Sequence, residues 1–325
     1  MRKGTKFNKI IIVIFIIVIV GLLSIGGYGY YTLNKIKTIS ISKTNEDLGI
    51  KQEVLDKLDE NKEMKKITNV LLLGVDVQEN ASDSIMVVSL DDLHNKLKLT
   101  SIMRDSYIDF GPDKISKINY AYHYGGPQLT IKTINENYNL DIRDYVKVDF
   151  GALAKIIDYM GGVEIDVSPE EVKILNKYVR DIAGRANKEP VLLKKSGLQT
   201  LNGDQAVGYC RIRYVGNLDY ERTQRQRKVL TKLYEKVKGG GVADYYSIVT
   251  KLVSYVETSL DKAAILSMVN KSFSYGSSNI EQTRVPYDKY HEDAIIDGVY
   301  YLKWDKAANI DILHKFIYDD IKPGK

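Results

Sequence analysis

The chain of 325 residues has few of the residues on which common enzyme sites depend. Its one cysteine, Cys210, excludes an intramolecular disulfide, and no histidine lies near it in sequence, so a packing role is favoured over a nucleophilic one. The four histidines are scattered and show no H-E-x-x-H spacing. The sequence also lacks a G-x-S-x-G motif and a Walker-type glycine loop, which argues against a serine-triad hydrolase and a P-loop nucleotide hydrolase.

A large excess of positive charge is lacking as well. The formal net charge of +5 falls to +1 once the four basic residues before Ile10 are set aside. The rest of the chain therefore does not have the overall basicity of a nucleic-acid binder, and no nucleic-acid partner is expected. Hydrophobic residues make up 44% and charged residues 27%, a composition typical of a globular protein with a substantial core.

One long stretch of the N-terminus carries no charge. Residues 10–34 are uncharged, and a spanning helix needs about 20 residues. The basic residues before this stretch predict that it is anchored with its N-terminus in the cytoplasm. A cleaved signal peptide is the alternative, but no A-x-A-like cleavage site follows. We therefore expect a single-pass cell-membrane protein with four parts: a basic cytoplasmic tail (1–9), a transmembrane helix (10–34), a stalk (35–66) and an extracytoplasmic catalytic domain (67–325).

Strand and helix patterns alternate after residue 66. Strands are predicted at residues 67–76, 84–90 and 97–103, with a polar hairpin between the second and the third. Helical patterns follow, among them residues 127–138 and 150–160. This alternation predicts an α/β fold: a three-layer α/β/α domain in which helices cover both faces of a central mixed sheet.

Arginines are concentrated between residues 201 and 227, at Arg211, Arg213, Arg222, Arg225 and Arg227. Aromatic and β-branched residues at 207–214 predict a strand, on which Arg211 and Arg213 would leave the same face. Asp219 can cap a helix that begins near Tyr220, and Arg222 and Arg225 would project to one side of that helix. Two guanidinium pairs beside a helix N-terminus favour a site for a multiply charged phosphate. The alternative is a solvated basic face or a set of local ion pairs.

Carboxylates mark the ends of the first two predicted strands. Asp76 ends the first strand and Asp83 begins the second, so the two could meet at one edge of the sheet. Two hard oxygen ligands together with phosphate oxygens would suit Mg²⁺, with Mn²⁺ as a substitute. The alternative is that one carboxylate caps a turn and the other is solvated.

More polar residues follow the third predicted strand. Arg104 could bind phosphate there, and Asp105 could orient Arg104 or act as a base. A local ion pair of little energetic value is the alternative for these two residues. Lys117 and Asn119 come next, in a segment that could line a cleft.

Seven motifs, read together, resemble the LytR-CpsA-Psr family of membrane-anchored extracytoplasmic phosphotransferases. In chain order they are LLLGVD, SDSIMVVSL, LTSIMRDSYI, KINYAYHYGG, VDF…IIDYMGGVEIDV, LNGDQAVGYCRIR and D-x-x-R-x-x-R-Q. The resemblance runs from about residue 70 to residue 227 and continues more loosely beyond. It implies transfer of an anionic glycopolymer, such as a teichoic acid or capsule, from a polyprenyl-pyrophosphate carrier to a peptidoglycan sugar hydroxyl.

The resemblance also assigns roles to matching positions. Asp76 and Asp83 are similar to the metal-side aspartates; Asp105 and Asp219 match the carboxylates of the RD and D-x-x-R motifs. The residues similar to the phosphate-binding arginines are Arg104, Arg211, Arg213, Arg222 and Arg225. We expect catalysis to depend on Arg104, Asp105 and Arg213, with Asp219, Lys117 and Asn119 in support. Gln78 and Ala81 stand where members of the family often have arginine. A lipid-carrier-binding or regulatory envelope protein without transferase activity is the competing hypothesis.

Overall fold

A computed structural model of the chain describes residues 37–76, 79–110, 115–213, 215, 218–239, 253–275 and 280–324. Its α-helices are α1 Gln52–Glu60, α2 Tyr120–Tyr138, α3 Phe150–Tyr159, α4 Pro169–Arg185, α5 Gly203–Cys210, α6 Leu218–Gly239, α7 Lys262–Ser274 and α8 Lys306–Tyr318. Short 3₁₀ helices span Met64–Lys66, Val253–Tyr255 and Asp288–Tyr290.

The β-strands follow the same chain order. They are β1 Lys37–Thr38, β2 Ile67–Asp76, β3 Ala81–Asp91, β4 Lys96–Ile102, β5 Tyr107–Asp109, β6 Ile115–Lys117, β7 Asp144–Asp149, β8 Val163–Val167, β9 Gly197–Leu201, β10 Glu257–Thr258, β11 Glu281–Val285, β12 His291–Ile296 and β13 Val299–Trp304.

Seven of these strands form the central sheet, in the order β1-β10-β7-β2-β3-β4-β11. Strand β2 runs parallel to β7 and antiparallel to β3, and β4 runs antiparallel to β3 and parallel to β11. The predicted mixed sheet is confirmed, as is the predicted hairpin between its second and third long strands. The continuous apolar run of β2 fits a strand that is covered on both faces.

Helices cover both faces of the sheet. On one face Leu71 and Leu73 of β2 share a core cluster with Ile131 and Ile134 of α2, to which α1 and α8 also contribute. On the other face the alternate β2 position Val70 packs with residues of α7. A further core cluster is formed by helices α3, α4, α5 and α6 together with the small sheet β8–β9. The result is a layered α/β/α arrangement.

The stalk predicted for residues 35–66 is wrong for residues 37–66, which the structure describes. Strand β1 pairs with β10 in the central sheet. Leu48, Ile50, Val54 and Leu58 are buried in the main core cluster. The lysines and acidic residues that suggested a stalk alternate with these apolar residues, and most of them lie on the outer face of the segment.

The strand predicted at residues 207–214 is also wrong, because residues 203–210 form α5. Asn202 and Gln205 make a reciprocal capping box, in which each side chain accepts a hydrogen bond from the other's backbone N–H at 3.0 Å. This cap accepts hydrogen bonds from backbone N–H groups at the start of the helix. It therefore favours a helix even though the segment is rich in β-branched and aromatic residues. Arg211 and Arg213 therefore follow a helix and do not share the face of a strand.

The hairpin β12–β13 was not predicted from the sequence. Its two-residue turn is Asp297–Gly298, and both residues have positive φ, at 51° and 76°. An Asp-Gly pair of this kind is a known hairpin signal. The hairpin matters for the site, because Leu302 of β13 donates a backbone hydrogen bond to the carbonyl of Asp105 at 2.9 Å.

In the part of the chain that the structure describes, no helix is both long and apolar enough to cross a bilayer. The segment 10–34, for which a transmembrane helix is predicted, lies outside those residues.

A buried lysine of the central sheet binds residues at and just after the end of α8. Lys98 of β4 is fully buried, and its Nζ lies 2.7 Å from Oδ2 of Asp91 and 3.2 Å from Oδ1 of Asp320. It also donates to the carbonyl of Ile317 at 2.9 Å. Burial by itself raises the pKa of Asp91, but hydrogen bonds from Lys98 and His94 outweigh it and hold that pKa below 3.8. The stabilising contribution of ionised Asp91 is therefore present above the unfolded-state pKa and is lost as the pH falls through the folded-state pKa.

We predict that Lys98→Met lowers the free energy of unfolding by about 3–5 kcal/mol, because it leaves a buried carboxylate without its cation. Lys315→Met is the control, since Lys315 is half-exposed and pairs with Asp311 four residues earlier on α8. That control should cost no more than about 0.5 kcal/mol. Urea unfolding of residues 37–325 measures both, and equal small losses would contradict the prediction.

Candidate phosphate-binding site

Two arginines, a lysine and two aspartates meet at the edge where β3 begins and β4 ends. The Arg104 guanidinium pairs with Asp83, and its Nε lies 3.6 Å from Oδ2 of Asp105. Lys117 Nζ lies 2.7 Å from Oδ1 of Asp105, and Arg213 Nη2 lies 3.7 Å from Oδ1 of Asp83. These five residues, here called the edge cluster, carry three positive and two negative charges. The cluster is therefore suited to bind an anion.

A β-bulge places Asp83 in the edge cluster. Gly74 of β2 pairs with Ser84 and Val75 pairs with Ser82, so Asp83 is the extra residue. Such a bulge re-aims the side chain of the extra residue. A Cβ on Gly74 would lie 2.9 Å from the Cβ of Ser84, so the close approach of the strands here requires glycine.

Backbone hydrogen bonds fix the turn that carries Arg104 and Asp105. Met103 donates its N–H to the carbonyl of Val285 at 2.8 Å, and Asn119 donates to the carbonyl of Arg104 at 3.3 Å. The Arg104 side chain is 15% exposed and that of Arg213 is 31% exposed. Guanidinium groups that are partly withdrawn from water attract an anion more strongly than fully exposed ones.

Arg225 does not lie in the edge cluster. It is 4% exposed, and its Nε donates to the buried carboxylate of Glu171 at 2.7 Å. Its other nitrogens donate to the carbonyls of Ile212 at 3.2 Å and Val215 at 3.0 Å. These partners occupy the fork that phosphate would need, so the geometry does not support the predicted phosphate contact. Arg225 instead holds the backbone on both sides of Arg213.

The two neighbouring arginines of α6 are buried as well. Arg227 donates to the Ser101 hydroxyl at 2.7 Å, and burial together with the nearby charge of Arg284 lowers its pKa to about 10. Arg222 is 2% exposed and precedes Thr223, whose hydroxyl lies 3.9 Å from the sulfur of Met103. Adjacent residues of a helix do not face each other, so this contact does not place Arg222 in the edge cluster, and phosphate binding by Arg222 stays a prediction.

Arg211 lies in a separate polar pocket of about 990 Å³, part of which is open to solvent. Its guanidinium carbon lies 5.7 Å from the Phe150 ring and 5.2 Å from the Tyr178 ring, and its Nη1 lies 3.4 Å from Oδ2 of Asp181. Asp76 lines the same pocket and is 6% exposed. The structure thus groups Arg211 with Asp76.

An apolar slot adjoins this polar pocket, between the sheet and helices α3, α5 and α6. Its total empty volume, which includes space open to solvent, is about 530 Å³, and its walls include Leu72, Leu153 and Leu230. Phe150 lines both the slot and the polar pocket. Cys210 also lines the slot, and burial raises the pKa of its thiol to about 12, in agreement with the predicted packing role.

The supporting residues differ in how the structure places them. Lys117 belongs to the edge cluster, as described above. Asn119 is 5% exposed, and its side-chain oxygen accepts no hydrogen bond from any residue that the structure describes. Helix α6 begins at Leu218, so Asp219 lies in its first turn and not before it; the Asp219 side chain is outside the described part.

The two aspartates predicted to bind Mg²⁺ lie in different surroundings: Asp83 pairs with Arg104 in the edge cluster, and Asp76 lines the pocket that contains Arg211. Asp76 and Asp83 offer carboxylate oxygens, and Mg²⁺ is often held by one or two carboxylates plus phosphate oxygens. Mg²⁺ binding by these carboxylates stays a prediction. Among the described residues, one group of three side chains has metal-ligand spacing, formed by Asp91, His94 and Asp320. Lys98 Nζ already lies between its two carboxylates, so that group does not suit a cation.

Sequence reasoning missed a tyrosine–histidine contact close to the arginine-rich helix. The Tyr220 hydroxyl hydrogen-bonds Nε2 of His291, while Nδ1 of His291 lies 2.7 Å from the carbonyl of Tyr287. The carbonyl oxygen can only accept, so Nδ1 of His291 carries a proton. Arg284 lies over the Tyr220 ring at 4.2 Å. His291 is 71 residues from Tyr220, and no local pattern could have indicated this contact.

A mixed α/β domain with a cationic cluster at its sheet edge and an apolar slot nearby defines a class of proteins that can bind a phosphorylated amphiphile. The chain matches the model of the LytR_cpsA_psr family over residues 28–316. It belongs to that family.

Relatives that align over most of their length include both protein sequences and solved structures. The polyisoprenyl-teichoic acid–peptidoglycan teichoic acid transferase TagU of Bacillus cereus is 30% identical over 316 residues, which cover 94% of this chain and 96% of TagU. The crystal structure of B. subtilis TagT is similar with a TM-score of 0.63 and 26% identity, over 79% of this chain and 91% of TagT. A structure of TagT with bound octaprenyl pyrophosphate lipid has a TM-score of 0.61 and 25% identity, over 79% and 90%.

We predict that Arg225→Met lowers the free energy of unfolding by about 3–5 kcal/mol, because it leaves the buried Glu171 carboxylate unpaired. Adding Glu171→Gln removes that charge and keeps an acceptor for the N–H of Ser168, so the double variant should regain much of the loss. Arg185→Met, at an exposed i,i+4 pair with Asp181, is the control and should be nearly neutral. Urea unfolding gives the coupling energy; a double variant no more stable than Arg225→Met would refute this role for Arg225.

Proposed function

We propose that this protein transfers an anionic glycopolymer from a polyprenyl-pyrophosphate carrier to a sugar hydroxyl of peptidoglycan, forming a phosphodiester. The edge cluster near the apolar slot is the observation that carries the proposal, since the two features match the two ends of such a carrier. The name of the B. cereus relative and the lipid bound to TagT support the same substrate class.

The donor would bind by its charge and by its tail. Arg104, Arg213 and Lys117 supply donors for pyrophosphate oxygens, and the arginine forks match phosphate geometry. The isoprene units next to the pyrophosphate would enter the slot past Phe150. Each Å² of apolar surface removed from water contributes roughly 25 cal/mol, so a few buried isoprene units favour binding by several kcal/mol.

The reaction requires little covalent chemistry from the protein. The acceptor oxygen attacks the phosphorus that bears the polymer sugar, and a new P–O bond forms. The P–O bond to the polyprenyl phosphate breaks, and that phosphate leaves with the electron pair. Arg104 and Arg213 neutralise the charge that develops on the phosphates.

The acceptor hydroxyl must also lose a proton. We assign Asp105 as the base, and Arg104 and Lys117 position its carboxylate in the edge cluster. Asp76 and Asp83 would hold Mg²⁺, which supplies charge neutralisation and orientation of phosphate oxygens when bound.

The expected location follows from the substrates. Peptidoglycan and its lipid-linked precursors are on the outer side of the membrane. We propose that residues 10–34 anchor the chain, that the basic residues before them remain in the cytoplasm, and that the domain described above faces outward.

We predict that Arg104→Ala and Arg213→Ala each lower the transfer rate on the order of 10²–10³-fold, because each removes a charged donor to the phosphates. The exposed Arg180→Ala is the matched control and should retain wild-type activity. The assay supplies lipid-linked polymer and peptidoglycan oligomers to the full-length protein in detergent, and circular dichroism confirms folding. Full turnover in a folded Arg104→Ala or Arg213→Ala variant would refute the role of that arginine.

Lipid extraction separates the proposed transferase from a carrier-binding protein. Mass spectrometry of lipids extracted from the wild-type protein should detect a polyprenyl phosphate. Lipid without any covalent product from the wild type would favour the binding protein.

Removal of divalent cations should abolish transfer. We predict that a chelator lowers the rate at least tenfold and that added Mg²⁺ or Mn²⁺ restores it, because two carboxylates and two phosphates need a cation between them. Calcium-saturated chelator is the control for non-specific effects. Transfer that is insensitive to the chelator would contradict the Mg²⁺ assignment while leaving the arginine sites in place.

A further inference from the structure

An exposed group of aromatic side chains lies at the start of α2. It consists of Phe110, Tyr120, His123 and Tyr124, here called the aromatic patch. The rings of Tyr120 and Tyr124 stack with centroids 6.0 Å apart and an interplanar angle of 25°. Tyr120 is 40% exposed and Tyr124 is 51% exposed. Phe110 meets Tyr124 edge-on at 5.8 Å and also packs against the main core.

The two tyrosines of the patch are not needed to fill the core. Tyr122, on the same helical turn, is 8% exposed and belongs to the main core cluster. Tyr120 and Tyr124 are four residues apart and therefore share the opposite, outer side of this turn. Exposed aromatic rings that are grouped in this way mark interaction sites more often than isolated ones do.

The patch adjoins the edge cluster. Helix α2 begins directly after Asn119, whose N–H donates to the carbonyl of Arg104, and Lys117 pairs with Asp105 two residues before that. A ligand lying on the patch would therefore extend toward the phosphates held by the cluster.

The patch and the slot belong to opposite faces of the sheet. Helix α2 packs on the face of Leu71 and Leu73. The slot is lined by Leu72, Leu73 and Gly74 of β2 and by Ser84 of β3. Successive strand residues point to opposite faces, so the side chain of Leu72 lies on the face away from α2. In phosphoryl transfer the attacking and leaving oxygens lie roughly in line on opposite sides of phosphorus. With the leaving lipid phosphate on the slot side, the acceptor must approach from the side of α2.

From this arrangement we infer that the aromatic patch is the binding surface for the sugar rings of the acceptor glycan, an inference that rests on the proposed transfer reaction. Pyranose rings present flat C–H faces, which pack on exposed aromatic rings. Tyrosine also offers a hydroxyl to the sugar's polar rim, and it holds its ring with few rotatable bonds. The surface is therefore suited to a chain of pyranose sugars.

The test compares three variants of the full-length protein in detergent. Tyr120→Ala/Tyr124→Ala removes both rings, and Tyr120→Phe/Tyr124→Phe keeps them. Tyr159→Ala removes an equally exposed tyrosine, 46% exposed, from α3. The probe is a peptide-free glycan oligomer of peptidoglycan, and its binding is measured by calorimetry. In parallel, the transfer rate is measured against the concentration of the same oligomer and against that of lipid-linked polymer.

We expect the double alanine variant to lose affinity for the oligomer on the order of tenfold and to show a matching rise in its KM, with KM for the lipid-linked donor unchanged. The phenylalanine variant and Tyr159→Ala should stay within about twofold of wild type. Unchanged oligomer affinity in the folded double alanine variant would overturn the inference, and so would a rise confined to the donor KM. If oligomer binding depends on the two rings but the wild type transfers no polymer, the proposed function would be contradicted. The aromatic patch would still be assigned as a glycan-binding surface.

Discussion

The pairing of Asp83 with Arg104 and Arg213 is the contact on which the site depends. It brings together the start of β3, the end of β4 and the segment after α5, which are remote in sequence. The two guanidinium groups repel each other; two like unit charges 4 Å apart near a protein surface repel by on the order of 4 kcal/mol. Asp83 and Asp105 reduce that repulsion while the site is empty of phosphate. The cluster can therefore be preformed, with a net charge of +1 left to attract an anion.

The arginines of the segment 211–227 have two roles: some lie in the site, and others stabilise the backbone that carries it. Arg213 reaches Asp83, whereas Arg225 is used to hold the backbone at Ile212 and Val215 and to pair with Glu171. Glu171 also accepts the N–H of Ser168 at the cap of α4. One buried carboxylate thus links the helix that carries Arg225 to a neighbouring helix. The hydrogen bonds from Arg225 to the carbonyls of Ile212 and Val215 fix the backbone on both sides of Arg213, near the position where phosphate is expected.

Local patterns predicted most of the sheet and part of the site. The strands that end at Asp76 and before Arg104 were found because their apolar runs are long and their breaks are polar. The expectation that Asp83, Arg104 and Asp105 share one edge of the sheet followed from those strand ends. The helix at residues 203–210 was missed because its cap, Asn202 with Gln205, outweighs a composition typical of a strand. The role of Arg225 was missed because periodicity shows which side of a helix a residue faces but not which carboxylate lies there. The burial of residues 48–58 depends on contacts with α2 and α8 that lie far along the chain.

The central claim is that one molecule of carrier is held by its pyrophosphate at the edge cluster and by its tail in the slot. A crystal structure of the full-length protein with a polyprenyl pyrophosphate tests it most directly. The account predicts phosphate oxygens within hydrogen-bond distance of Arg104 and Arg213, and the first isoprene units against Phe150 and Leu230. Phosphates bound away from Asp83, or a tail that runs over the α2 face of the sheet, would contradict it.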